Sequence, residues 1–211
     1  AQLDEFGAVV NLQQIACPLW RGVNELIGAC ESVTFDIAER NAVHAVTMTG
    51  ELCDVFEDRI AGVQQIIGLL GSLLNDRAEI WIYGGGDGWL KPTEVDECHV
   101  PSVASANWLA LATLVEELVN DCILLDVGST TTDVVRIVNG EARFTGRDDE
   151  SRLASEELVY TGVVRTPVIA VCRAVPYRGR WQNLAAEYFA TMGDVYRLLG
   201  QIDHRHDLMP T

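Results

Sequence analysis

The sequence predicts an α/β fold, and three observations carry the prediction. Strand-like apolar runs alternate with runs at helical spacing through the first half of the chain. Several of the strand-like runs end in small, turn-forming residues. Near the middle, two apolar strands flank a polar loop, and Asn139–Gly140, a strong two-residue hairpin signal, joins the second to a third strand.

The elements follow in order. Residues 7–16 (GAVVNLQQIA) read as a strand. Residues 18–33 (PLWRGVNELIGACESV) place Trp20, Val23, Leu26, Ile27 and Cys30 at helical spacing. Residues 42–50 (AVHAVTMTG) form a buried strand ending in a loop of small residues, and 59–74 (RIAGVQQIIGLLGSLL) a helix. Residues 78–85 (AEIWIYGG) are a strand stopped by glycines. A helix over 105–119 has Ser105 or Ser102 as its N-cap. Strands CILLDV (122–127), TDVVRIVNG (132–140) and EARFTGR (141–147) follow. A last helix over 183–200 is closed by Gly200. No repeat, low-complexity segment or linker interrupts the chain, so 1–211 reads as one assembly.

Composition bounds the function. With 48% apolar residues among 211, the chain can bury a real core. Acidic residues outnumber basic ones, 31 to 15, for a net charge of −16. This surplus fits solubility and argues against nucleic acid as a partner, because nothing neutralises a row of phosphates. Lys91 is the only lysine and no G-x-x-x-x-G-K-[ST] occurs, which argues against lysine-dependent and P-loop chemistry. Cysteines at 17, 30, 53, 98, 122 and 172 form no C-x-x-C pair; they read as reduced thiols of a cytoplasmic protein, and no zinc site is expected. DHRHD at 203–207 is irregularly spaced, and no metal is expected there. No apolar run approaches ~18 residues, so no membrane span is expected.

The polar loop carries the chemistry. Asp126 ends one strand, and Gly128 is expected to permit a tight turn with positive φ. Ser129, Thr130, Thr131 and Thr132 offer successive backbone N–H groups and four hydroxyls, the makings of an anion nest. Asp126 or Asp133 can hold Mg²⁺ directly or through water. Such equipment suits a phosphate or diphosphate; the bland alternative is a Thr-rich turn satisfying its own backbone.

DVGSTTTD (126–133) resembles the phosphate hairpin of the actin-like, sugar-kinase and heat-shock ATPase superfamily, in the D-x-G-[GS]-T-[ST]-T-D form of hydantoinase/oxoprolinase-type proteins. Three further stretches narrow the resemblance: VTMTGELCDVFEDRIAGV (46–63), ASANWLALA (104–112) and RLASEELVYTGVVRTPV (152–168). Together they are similar to the tetrahydromethanopterin-linked one-carbon branch of that family, which serves methanofuran biosynthesis. The likeness runs over 14–200.

This resemblance implies an actin-like, ribonuclease-H-like ATPase fold: a mixed sheet with helices on both faces. It implies a transferase that joins an aminomethylfuranylmethyl diphosphate to a tyramine- or tyrosine-type phenol and releases diphosphate, with Mg²⁺ and without ATP. Residues 128–132 would cradle diphosphate, with Asp126 or Asp133 on the metal. Thr49, Gly50 and Glu51 lie just past a strand, where α/β sheets bind ligands; Glu51 is either a base or metal-linked carboxylate or a helix cap. Ser105 and Asn107 open a helix, as ligand contacts or as caps. Thr161, Gly162 and Arg165 precede a strand, and Arg165 pairs with phosphate or forms a surface salt bridge. Trp20, Trp108 and Trp181 read as core or rim packing.

The superfamily sets two phosphate loops across a cleft, and the first, a strand followed by D-x-G-G, is missing here. The resemblance therefore implies a fold incomplete at both ends, whose unpaired sheet edges favour homo-oligomers. Two other functions remain open: an ATP-dependent hydantoinase- or oxoprolinase-like amidohydrolase, and a binding module without catalysis.

Overall fold

The computed structural model describes residues 1–33, 43–74 and 79–203. The architecture is α/β. The chain divides into two compact units, Ala1–Ala110 and Leu111–Thr211.

In the first unit, β1 (Gln2–Leu3) and β2 (Val9–Asn11) form a small antiparallel ribbon. The strand expected at 7–16 shrinks to three residues. Its apolar side chains lie exposed in this ribbon, with no sheet to support a longer strand. The helix expected over 18–33 is broken: a 3₁₀ turn at Leu19–Arg21 precedes α1 (Asn24–Glu31). Gly22, at φ 139°, separates the two, a conformation only glycine adopts readily.

β3 (Val43–Val46) and β4 (Glu79–Tyr83) then pair in parallel, linked through α2 (Arg59–Leu73). Parallel neighbours need such a helical crossover. β5 (Trp89–Leu90) adds to β4 antiparallel. Asp58 caps α2, its carboxylate accepting from the Ala61 N–H at 2.7 Å. Val63, Ile66 and Ile67 turn one face of α2 into the core, where they meet Leu19, Met48, Phe56 and Ile82. Each such side chain stabilises the fold by ~1.5–3 kcal/mol when fully buried. α3 (Val100–Val103) buries Val100 and Val103 in the same core, and α4 (Asn107–Glu116) follows.

In the second unit, β6 (Cys122–Val127), β7 (Thr132–Val138) and β8 (Glu141–Arg143) form an antiparallel meander. Asn139 and Gly140 both take positive φ, 54° and 70°, as the two-residue turn requires. α5 (Asp149–Ala154) leads to β9 (Leu158–Val159), which pairs with β7 at Thr132 and Asp133. Along β6 the side chains alternate. Cys122, Leu124 and Asp126 are half-buried, while Ile123, Leu125 and Val127 are exposed.

After the short helix α6 (Val168–Val171), the long helix expected over 183–200 is not formed. β10 (Ala174–Tyr177) and β11 (Arg180–Asn183) make a hairpin whose turn, Arg178–Gly179, has positive φ at both residues. Only α7 (Met192–Leu198) is helical. Thr191, buried, caps it in a box with Asp194. Trp181 lies exposed on β11, whereas Trp108 is buried.

Candidate functional site

The hairpin between β6 and β7 gathers most of the residues expected to bind phosphate. Asp126 and Asp133 are direct cross-strand partners. Directly opposed residues of an antiparallel pair project from the same face, so the two carboxylates share one side of the hairpin mouth. The loop between them is closed by the Gly128 N–H donating to the Thr131 carbonyl at 2.8 Å. Gly128 does not take the positive φ expected of it. What its lack of a side chain permits is closeness: a Cβ there would lie 3.3 Å from the Thr131 carbonyl oxygen.

A second segment, 161–166, clasps this loop from outside the hairpin. The N–H groups of Val164 and Arg165 both donate to the Ser129 carbonyl, at 3.0 and 2.8 Å, and the Val163 N–H donates to the Gly128 carbonyl at 3.0 Å. The Thr132 hydroxyl donates to the Thr161 carbonyl at 2.8 Å, and Arg165 Nη1 lies 3.4 Å from the Thr130 hydroxyl oxygen. Thr166, buried, braces Gly162: its hydroxyl accepts from the Gly162 N–H at 2.7 Å. α7 holds the segment from behind, the Gly193 N–H donating to Val164 and the Met192 N–H to Thr166. Thus Gly128 to Thr132, Thr161, Gly162 and Arg165, distant in sequence, come together.

Gly162 sets the closeness of this clasp. A Cβ on it would fall 2.6 Å from both the Ser129 carbonyl carbon and the Thr130 nitrogen, and 2.7 Å from the Gly128 oxygen. All three are backbone atoms, so the loop itself would have to move. Gly162→Ala is expected to cost ~1–3 kcal/mol of stability, as overpacking does. It should also weaken the phosphate binding expected of this loop from the sequence by roughly tenfold, about 1.4 kcal/mol. Urea unfolding and calorimetric titration check the two effects; unchanged affinity would detach the clasp from binding.

One residue of this site was missed in the sequence. Arg152, 1% exposed, sends Nη1 to Asp133 Oδ1 at 2.8 Å and Nη2 to the Glu157 carbonyl at 3.1 Å. It lies inside a quoted stretch, but nothing in its spacing told it from a surface arginine. Burial pushes the Asp133 carboxyl above its ordinary value. Arg152 opposes that shift, while Asp126 and Asp149 add to it. One oxygen of Asp133 is therefore committed to Arg152, and Asp126, half-buried across the strand, is the better placed of the two for a cation.

The two carboxylates on one face of the hairpin mouth, Asp126 and Asp133, are oxygen donors of the kind that suits a hard cation such as Mg²⁺.

The remaining expected residues belong to the first unit. Glu51 is 1% exposed. The Ser105 hydroxyl donates to its Oε1 at 2.8 Å, and its Oε2 is buried with no hydrogen-bond partner among the described residues. Asp58, not Glu51, caps α2. Instead α2 presses on Glu51: a Cβ on Gly62 would fall 2.2 Å from the Glu51 carbonyl oxygen. Ser105 sits at φ 54° and spends its hydroxyl on Glu51, while the Ser102 hydroxyl donates to Asp87. Gly50 packs against Leu19, Thr49 is exposed, and Asn107 begins α4 half-buried. DHRHD at 203–207 lies outside the described residues except for Asp203. No described helix is long and apolar enough to cross a membrane.

The hydantoinase/oxoprolinase family profile matches residues 42–209. A (4-{4-[2-(gamma-L-glutamylamino)ethyl]phenoxymethyl}furan-2-yl)methanamine synthase from Methanocaldococcus jannaschii is 32% identical over 193 residues, covering 91% of this chain and 56% of that protein. A synthase of the same name from Methanococcus vannielii is 40% identical over 82 residues, 39% of this chain and 36% of that protein. The chain thus spans about half the length, or less, of these relatives.

Proposed function

The chain belongs to the hydantoinase/oxoprolinase family, and we propose that it carries the diphosphate-binding half of a furfuryl–aryl ether synthase. The fold we assign to the complete protein is actin-like. The observation that carries the reading is the clasped hairpin: a loop of hydroxyls and backbone N–H groups, two opposed aspartates at its mouth, and Arg165 against Thr130. The relatives' printed name supports it, since it describes a furan joined to a phenol through a phenoxymethyl ether.

In the proposed reaction the phenol oxygen attacks the furan-bearing CH₂. A C–O bond forms there as the bond to diphosphate breaks, and the electron pair leaves with diphosphate. Residues 128–132 and Arg165 hold the departing anion, whose charge grows as the bond breaks. Asp126, with Asp133 behind it, would hold Mg²⁺, which neutralises diphosphate when bound. The phenol proton passes to a carboxylate. We propose Glu51 for that role on its own chemistry, a carboxylate with one oxygen that has no hydrogen-bond partner among the described residues. Thr49, Gly50, Ser105, Asn107, Thr161 and Gly162 are assigned to substrate contacts. The phenol is tyramine-type, with a γ-glutamyl group on its amine if the product matches the relatives' name. Six cysteines, none of them in a disulfide, fit a reducing, cytoplasmic setting.

The test uses the full-length protein with Mg²⁺, the furfuryl diphosphate and the phenol. Ether and diphosphate are expected in equal amounts, with no requirement for ATP. Turnover that needs ATP and yields ADP would favour the amidohydrolase reading. Absence of any turnover, with diphosphate still bound, would leave a binding module.

A further inference from the structure

The chain has no C-x-x-C spacing, yet one four-residue turn brings three potential ligand atoms together. Asp96, Cys98 and His99 sit where the chain enters α3, with the His99 N–H donating to the Asp96 carbonyl at 3.1 Å. Their ligand atoms all lie within 4.8 Å of one another. Cys98 Sγ is 3.6 Å from His99 Nδ1, and His99 Nδ1 is 2.8 Å from Asp96 Oδ1.

Bond lengths of ~2.3 Å to sulfur and ~2.0–2.1 Å to nitrogen at a tetrahedral zinc place those two atoms ~3.5–3.6 Å apart. The Cys98–His99 spacing already matches this. The Asp96–His99 spacing is that of a hydrogen bond and must open by a few tenths of an ångström. The turn is anchored, because the residues just beyond it, Val100 and Val103, are core. The surroundings are negative: Asp96 and Asp87 both push the Cys98 thiol up from its ordinary value. A bound cation would reverse that effect.

We infer that Asp96, Cys98 and His99 form a three-ligand site for a zinc-class divalent cation, with a fourth position open to water or an external donor. A thiolate and an imidazole select zinc over magnesium, so this site differs in kind from the oxygen-only hairpin mouth. Binding exchanges the thiol proton for the metal, releasing one proton, and uses the His99 tautomer that carries its proton on Nε2.

The test is a cobalt(II) titration of the full-length protein, followed by zinc. Wild type is expected to take up one cobalt per chain, with tetrahedral visible absorption and a thiolate charge-transfer band in the near ultraviolet. Zinc should bleach both, and millimolar Mg²⁺ neither. Cys98 is exposed, so Cys98→Ser should fold as wild type does. It should lose the charge-transfer band and weaken cobalt binding by more than the ~10–100-fold that loss of an outer-shell partner costs. His99→Gln should weaken binding likewise while keeping the thiolate band at higher cobalt. A band that persists unchanged in Cys98→Ser would place the metal on another cysteine and overturn the inference. So would absence of the band in wild type, or displacement of cobalt by Mg²⁺.

Discussion

Asp126→Asn is expected to lower the turnover of the full-length protein by at least ~10²-fold, the scale on which loss of one preorganised electrostatic group acts. The substitution keeps the shape of the side chain and removes its charge. Asp126 faces Asp133 across the hairpin, and Asp133 already spends an oxygen on Arg152. No other carboxylate pairs across the mouth among the described residues, so the cation would lose its main anchor. Mg²⁺-dependent diphosphate binding, measured by calorimetry, should fall in parallel. The sign of the pH effect follows from Asp133. Its carboxyl is held above the ordinary aspartate value by burial. Protons therefore compete with metal at a higher pH than for an exposed aspartate pair. Mg²⁺ affinity should be full above that raised value and be lost as pH falls through it. Wild-type turnover in Asp126→Asn would remove the hairpin from the mechanism.

What the sequence made legible follows its local rules. The β3–α2–β4 crossover was readable because two strand-like runs and the helical run between them each show their own period, although β3 is half-exposed where a buried strand was expected and Asp58, not Glu51, opens the helix. The β6–β7–β8 meander was readable because Asn139–Gly140 fixes the register of its second turn. The C-terminal region was misread for a related reason. NLAAEYFATMGDVYRLLG has helix-forming composition over its whole length, but the Arg178–Gly179 turn pairs β10 with β11 up to Asn183. Thr191 then restarts the chain with a capping box. The candidate site shows the same division. Hydroxyls, glycines and aspartates at 126–133 signal themselves, and so does TGVVR at 161–165. That the second stretch lies on the first is a tertiary fact, visible only when a Cβ on Gly162 is seen to strike the loop. The metal-ligand turn at 96–99 could have been found by asking for any D-x-C-H in place of paired cysteines.

Arg152→Met is expected to destabilise the protein by ~3–5 kcal/mol, the cost of leaving a buried charge without its partner. Both members of the pair are inside: the Arg152 side chain is 2% exposed and that of Asp133 12%, at 2.8 Å. Arg152 also closes the Glu157 carbonyl, and Glu157 in turn accepts from the N–H groups of Thr145 and Gly146. Removing the guanidinium takes the donor from Asp133 Oδ1 and one of two from the Glu157 carbonyl, which keeps the Val134 N–H at 2.8 Å. The informative comparison is Arg152→Met with Asp133→Leu. If Asp133 serves mainly to satisfy Arg152, replacing both with apolar side chains should restore most of the lost stability, because an ion pair this deep is offset by its own desolvation. The urea midpoint reads that recovery. Mg²⁺ binding separates the two roles of Asp133. A double variant that is stable but no longer binds Mg²⁺ makes Asp133 part of the cation site as well as a structural partner. One that is stable and still binds assigns the cation to Asp126 alone. A double variant as unstable as Arg152→Met would show that Arg152 acts through Glu157, holding β9 against β7, and not through Asp133.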